Sequence, residues 1–233
     1  MSKKMYTEGE YLEKNPTWHT QDSHFKTRQI LDMIEKNAIQ PTSICEVGCG
    51  AGEILNQLHS QMSDNVSFTG YEISPQAFEI CDQKNKERLQ YNLKDVLQDD
   101  KAFFDLVLVM DVIEHVEDYL NFLRELKKKG EYKIFRIPLD LSVKTIFQQC
   151  THILTERKTV GHIHYFTKEL ALAALEDTGY EIVDCFFTPL ITYLRDNSLK
   201  LKIKRLPANI MFKFNEDATA RIFGGYSLMV LAR

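Results

Sequence analysis

Residues 44–55 read ICEVGCGAGEIL, and this stretch decides the fold. Residues 43–47 are a short strand-like run, and from Glu53 onward Ile54, Leu55, Leu58 and Met62 recur on one helical face. Between the two lies Gly48-Cys49-Gly50-Ala51-Gly52. A glycine-rich turn from strand to helix lets the backbone approach a ligand closely and points the helix N-terminus at it. Glu46, two residues before Gly48, narrows the choice of ligand. A carboxylate there repels a pyrophosphate but holds the ammonium end of an amino-acid-like molecule. The spacing agrees, since Glu53 stands where a dinucleotide fold wants its third small residue.

Working outward, residues 67–73 read as a second strand, with Glu72 near its end placed to accept both hydroxyl protons of a ribose. Ser74 and Pro75 then supply an N-cap and a first-turn proline for a helix that turns Ala77, Phe78 and Cys81 inward. A weak third strand falls at 89–96, and residues 103–110 (FFDLVLVM) suit a parallel strand buried on both faces. Residues 116–129 carry Tyr119, Phe122, Leu123 and Leu126 at helical spacing, with lysines in the last turn and Gly130 as the stop. Residues 132–138 are a fifth strand, Thr167 caps a helix that stops at Gly179, residues 181–187 are a sixth strand and residues 224–232 a seventh. This alternation predicts an α/β doubly wound sheet. Glu46, Glu72, Asp95 and Asp111 fall at the carboxyl ends of successive strands, where such sheets bind ligands.

The first twenty residues read as an irregular arm carrying Tyr6, Tyr11, Trp18 and His19, followed by an amphipathic helix at 22–37 that Pro41 ends. Two segments stand outside the alternation, residues 139–166 and 189–223, and such loop insertions usually set specificity. In the second, Leu199, Leu201 and Ile203 alternate with Lys200, Lys202 and Lys204, which predicts an amphipathic strand or edge hairpin. Its basic face, with Arg205 and Arg221, is either solvated or a clamp for an anionic acceptor.

A length of 233 residues suits one domain with additions, and 44% apolar with 27% charged residues excludes the disordered and fibrous classes. The net charge of −4 gives no global attraction to nucleic acid or to an anionic membrane. No apolar run approaches the roughly 18 residues of a span, and Met1-Ser2-Lys3-Lys4 leads into a polar segment, so a cytoplasmic, unprocessed protein is expected. Cys45, Cys49, Cys81, Cys150 and Cys185 contain no C-x-x-C pair. Neither a disulfide framework nor zinc is expected from them, and no pair of carboxylates has a spacing that demands magnesium, so no metal ligand is assigned and metal dependence stays open.

The blocks ICEVGCGAGEIL (44–55), YEISPQAF (71–78), KDV (94–96), FDLVLVMDVIEHVED (104–118) and GHIHYFTKELALAALEDTGYEI (161–182) together resemble the class I S-adenosylmethionine-dependent methyltransferases. The resemblance implies a Rossmann-like seven-stranded sheet, mostly parallel, with helices on both faces and the last strand antiparallel between the fifth and sixth. It divides the chain into an arm and helix at 1–40, covering the cofactor, and a methyltransferase domain at 41–233 with acceptor-side insertions at 139–166 and 189–223. Carried over by residue, Glu46, Gly48, Cys49 and Gly50 surround the methionine moiety of S-adenosylmethionine, Glu72 and Ile73 the ribose, and Asp95 and Val96 the adenine. Met110 and Asp111 border the sulfonium, and Tyr11, Trp18 and His19 are lid candidates.

The implied reaction moves a methyl group to oxygen, less readily nitrogen, of a small polar acceptor, with an anionic molecule, a sugar or a nucleotide-linked sugar in view, as in bacterial glycan and natural-product pathways. A hydroxyl acceptor must shed a proton, and His164 is the first choice of base, ahead of His115 and His162, which also suit loop-holding roles. A non-catalytic scaffold keeping the fold is the main alternative, although such relatives lose the acids or glycines that are intact here. An NAD-dependent oxidoreductase is disfavoured by Glu46 and Glu53.

Overall fold

The computed structural model describes residues 9–15, 18, 20–189 and 199–233; the side chains of Glu10 and residues 199–204 are outside the description, as are Tyr6 and His19 of the arm. The elements in chain order are α1 (Glu10–Lys14), α2 (Ser23–Lys36), β1 (Ser43–Val47), α3 (Glu53–Gln61), β2 (Ser67–Glu72), α4 (Pro75–Asp82), β3 (Leu89–Leu93), β4 (Phe104–Met110), α5 (Tyr119–Lys127), β5 (Gly130–Pro138), α6 (Val143–Phe147), α7 (Thr151–Thr159), α8 (Lys168–Asp177), β6 (Ile182–Pro189), α9 (Leu199–Phe214), α10 (Glu216–Phe223) and β7 (Tyr226–Ala232). Short 3-10 turns at Thr20–Asp22, Val96–Gln98 and Ile113–His115 complete the description.

Among the described residues the strands form one sheet in the order β3-β2-β1-β4-β5-β7-β6. All neighbours are parallel except β7, which runs antiparallel to both β5 and β6. Strand β4 shows why helices cover both faces: Leu106, Leu108 and Met110 enter one core with Ile30, Met33, Leu55 and Leu58, while Val107 and Val109 enter the other with Leu123, Leu126 and Leu175. A strand apolar at five successive positions, Leu106 to Met110, has no solvent face to offer there, so it must lie inside the sheet. The chain leaves β1 toward β2 on one side and has β4 on the other, which opens a crevice at the carboxyl ends of these strands.

Local chemistry fixes the boundaries. The hydroxyl of Ser74 accepts from the Ala77 N–H to cap α4, Asp118 caps α5 through the Asn121 N–H, and Thr167 caps α8. Gly52 takes φ +74°, and a Cβ there would lie 2.6 Å from the Tyr91 ring, so the turn before α3 has room for glycine alone. Tyr91 also donates its hydroxyl to the Gly52 carbonyl at 2.6 Å, seating the glycine turn on β3.

One expectation fails. Residues 199–204, read as an amphipathic strand or hairpin, open helix α9. The six-residue alternation is too short to set the period, and five of its six residues are lysine or leucine, which favour helix. Leu206, Ile210 and Phe214, four apart, continue the helical register. Among the described residues no helix is long and apolar enough to cross a membrane.

Candidate active site

A cavity of about 650 Å³ opens at the carboxyl ends of β1, β2, β4 and β5. The glycine turn forms its floor, and Tyr11, Trp18 and Lys26 from the arm and α2 form one wall. The arm is anchored at the far side, where Lys14 Nζ donates to the Lys158 carbonyl at 2.9 Å and Asn15 Nδ2 to the Thr159 carbonyl at 3.2 Å, at the end of α7. Tyr11 is buried with its ring 4.8 Å from that of Trp18, and among the described residues the Trp18 indole N–H has no hydrogen-bond partner.

The turn is held open by its own backbone and by one carboxylate. Gly48 and Gly50 adopt φ of +67° and +53°, and the N–H groups of Gly48 and Cys49 both donate to the Tyr71 carbonyl. Glu72 Oε2 accepts from the Gly50 N–H at 2.7 Å, while Oε1 accepts from the N–H groups of Ile73 and Ser74, both at 2.8 Å. Burial pushes the Glu72 carboxyl upward, and these three backbone donors pull against it.

Glu46 is 2% exposed, and its Oε2 accepts no hydrogen bond. Burial pushes its carboxyl up to about 8, with Lys26 opposing. A buried, unsatisfied carboxylate oxygen lining a cavity is costly for the free protein and calls for a ligand donor. Along the other edge, Ile73, Asp95 and Val96 line the pocket, and Asp95 Oδ1 accepts from the Leu97 N–H at 3.0 Å. Met110 and Asp111 complete the wall from β4. All twelve residues assigned to the cofactor from sequence therefore line the same cavity.

Asp111 sits in the left-handed region at φ +58° and is clamped by two cations. Lys26 Nζ lies 2.8 Å from Oδ2, and Arg136 Nη1 lies 2.6 Å from the same oxygen. Burial acts to raise the Asp111 carboxyl, but the Arg136 guanidinium and the Lys26 ammonium hold it well below the usual carboxylate range. Neither cation was picked out from the sequence. Arg136 left a signal there, a charge in the otherwise apolar end of a buried strand, whereas Lys26 has none short of the fold.

The three histidines separate. His164 does not line the cavity: its Nε2 donates to the carbonyls of Val116 at 2.9 Å and Glu117 at 3.2 Å, and its ring packs on Tyr119. The first-choice base thus lies outside the cavity wall, bonded to loop carbonyls, and the Glu114 carbonyl accepts the N–H groups of both Ile163 and His164. His115 and His162 do line it. His115 Nδ1 donates to the Gly161 carbonyl at 3.1 Å, and His162 Nδ1 lies 2.8 Å from Asp140 Oδ2. Burial pushes His115 down to about 3; burial also acts to lower His162, but the Asp140 carboxylate outweighs it and raises the ring to about 9. Both Nε2 atoms lie 3.9 Å from Oε1 of Glu114, a fully buried side chain that the sequence reading passed over.

The insertions also separate. His152, Glu156 and Val160 of residues 139–166 line the cavity, whereas among the described side chains of the second insertion, residues 205–223, none does. Arg221 instead pairs with Glu169 and Asp217 on the surface, away from the cavity.

A glycine floor, an unpaired acid for an ammonium, and an acid at the end of the neighbouring strand define a site for a nucleoside that carries an amino acid. Comparison with known proteins gives the same class. The family model described as "Methyltransferase domain" matches residues 18–184, and the chain belongs to that family, whose cofactor is S-adenosylmethionine. A ubiquinone biosynthesis O-methyltransferase of Rickettsia typhi is 30% identical over 116 residues, covering 46% of this chain and 47% of the relative, so the chain spans about half the length of that protein in the match. Among solved structures, a candidate sarcosine dimethylglycine methyltransferase from Galdieria sulphuraria superposes with a TM-score of 0.63 at 16% identity, over 89% of this chain and 84% of the other. The N-methyltransferase NodS from Bradyrhizobium japonicum, in complex with S-adenosyl-L-homocysteine, superposes with a TM-score of 0.56 at 16% identity, over 90% and 86%. These two show the shared fold.

Proposed function

We propose that this chain transfers a methyl group from S-adenosylmethionine to a hydroxyl oxygen of a small polar acceptor. The observation that carries the reading is Glu46, whose buried and unsatisfied carboxylate oxygen stands beside the glycine turn. The residues fit the cofactor end to end: Glu46 and the glycine turn for the methionine moiety, Glu72 and Ile73 for the ribose, Asp95 and Val96 for the adenine. Bound there, the cofactor supplies a methyl group already activated on a sulfonium sulfur. The protein's part is to orient the acceptor in line with that methyl and to exclude water. Tyr11 and Trp18 serve the second purpose as a lid whose far end docks on α7.

With adenine toward β3 and methionine over β1, the methyl end faces β4 and β5, where Glu114, His115, Asp140 and His162 line the cavity. A hydroxyl acceptor sheds its proton here, among titratable side chains, which favours oxygen over nitrogen. The acceptor class is a hydroxylated ring, with sugars and nucleotide-linked sugars to be tested beside catechols, the latter because the Rickettsia relative is named for O-methylation in ubiquinone biosynthesis. Five free cysteines suit the reducing cytoplasm.

Calorimetric titration with S-adenosylmethionine and S-adenosylhomocysteine, with NAD as control, tests the first half. Micromolar affinity, about −8 kcal/mol, for the first two alone is expected. Transfer of labelled methyl to the acceptor panel tests the second. Cofactor binding with no transfer to any member would favour the scaffold reading, and preferential binding of NAD would end the methyltransferase one.

A further inference from the structure

We propose that Glu114, His115 and His162 bind a divalent first-row transition-metal ion at the acceptor end of the cavity. One ligand atom from each of these side chains lies within 4.8 Å of the other two. Three atoms so placed share a point no more than about 2.8 Å from each, against bonds of about 2.0–2.2 Å to such an ion, so closing the site takes side-chain adjustments of at most about 0.8 Å.

The hydrogen bonds around the cluster set its donors. A carbonyl only accepts, so Nδ1 of His115 carries the proton toward Gly161, and the neutral ring presents its lone pair at Nε2. Asp140 takes the Nδ1–H of His162 at 2.8 Å and turns Nε2 of that ring toward the same centre. A carboxylate or carbonyl behind each imidazole is the outer shell that metal-ligating histidines use to fix ring and tautomer.

Glu114 is the independent sign of a ligand. Its side chain is 0% exposed, and neither carboxylate oxygen accepts a hydrogen bond. Glu114 and Asp140 bring two carboxyl groups to a buried cluster, and a divalent ion that takes the place of the protons held there, that on Nε2 of His162 among them, is balanced by both. Imidazole with one carboxylate suits zinc, iron or their neighbours better than magnesium or calcium. Paired carboxylates and C-x-x-C spacing are the local marks of a metal site, and neither marks ligands 47 residues apart that only the fold brings together.

Three protein ligands leave positions open toward the cavity, the arrangement of catalytic rather than structural sites. The role that follows rests on the methyl-transfer reading. An acceptor hydroxyl on the ion becomes acidic enough to release its proton to water; its oxygen then forms the new O–CH3 bond as the C–S bond breaks and its electron pair stays on sulfur.

Metal binding is tested without turnover. Chelator-stripped full chain is titrated with Co²⁺ by visible absorption and with Zn²⁺ by equilibrium dialysis, and S-adenosylhomocysteine affinity is measured on every variant. We expect one ion per chain, with ligand-field bands and without the near-ultraviolet charge-transfer band of thiolate ligation. Affinity should fall more than about 100-fold in His162→Ala and Glu114→Gln, and about 10- to 100-fold in Asp140→Asn, which keeps the shape of the site and carries the test if either of the others fails to fold. No binding at about 100 μM free metal, equal binding by all variants, or a thiolate band would overturn the proposal. Metal binding in a chain that ignores S-adenosylhomocysteine would instead sink the methyl-transfer reading and leave the metal site standing.

Discussion

Glu72 Oε2, at the end of β2, accepts the N–H of Gly50 at 2.7 Å and so ties two strand ends together across the mouth of the cavity. The carboxylate that we propose for the ribose therefore also shapes the turn that we propose for the methionine moiety. Glu72→Ala should weaken S-adenosylhomocysteine binding about 10- to 100-fold, by removing charge-assisted hydrogen bonds of about 1.5–3 kcal/mol, and should lower the melting temperature as well. Calorimetry with thermal denaturation checks both, and an unchanged affinity would remove Glu72 from the site.

Glu46 makes cofactor binding depend on pH. Its carboxyl, raised to about 8 by burial, is largely protonated in the free protein at neutral pH, and an incoming ammonium favours the ionised form. Binding should release close to one proton at pH 7, and affinity should climb with pH toward tenfold per unit until about pH 8, then fall as the ligand's α-amino group deprotonates. The stability of the free protein moves the other way. A carboxyl that holds its proton more tightly when folded contributes stability below its ordinary value of 4.5 and loses that contribution as the pH rises through about 8. Titrations in buffers of different ionisation enthalpy would show the proton, and Glu46→Gln should abolish it.

Asp111 neutralises Arg136, which is 4% exposed, and Lys26. Removing the acid leaves a buried guanidinium with less than its charge balance, so Asp111→Asn should destabilise the fold by about 3–5 kcal/mol. Adding Arg136→Met should recover part of the loss. Chemical denaturation of both variants decides it, and additive losses would show that the pair is not coupled.

His164 bonds to two backbone carbonyls away from the cavity. His164→Ala should cost about 1 kcal/mol of stability and leave the pH profile of turnover unchanged. A profile that loses one of its limbs would restore His164 as a base.

Gly52→Ala places a methyl group against the Tyr91 ring at a residue with φ +74°. A loss above about 1 kcal/mol is expected, since both the strained backbone and the overlap must be relieved. Urea denaturation gives the value, and a neutral result would mean that Tyr91 moves freely.

The sheet was legible because each of its strands carries its own signal. Runs such as 106–110 are apolar throughout, Ser74-Pro75 and Thr167 mark helix starts by their own chemistry, and Glu72 announces itself by its distance from the glycine turn. The misread segment, 199–204, is one where two periods compete over six residues and the neighbouring Leu206, Ile210 and Phe214 settle the matter.

By itself, then, the sequence determined the order of strands and helices, the glycine turn and the acids at successive strand ends, since backbone conformation and burial pattern are written locally. Only the tertiary structure decided which groups meet across the cavity. Lys26 and Arg136 close on Asp111 from 85 and 25 residues away, and His162 reaches Glu114 from 48 residues on, while His164 turns aside to a loop. Side-chain pairing acts over a few ångströms in space and leaves no periodic trace along the chain, so the electrostatics of the site became visible only when the strand ends were brought side by side.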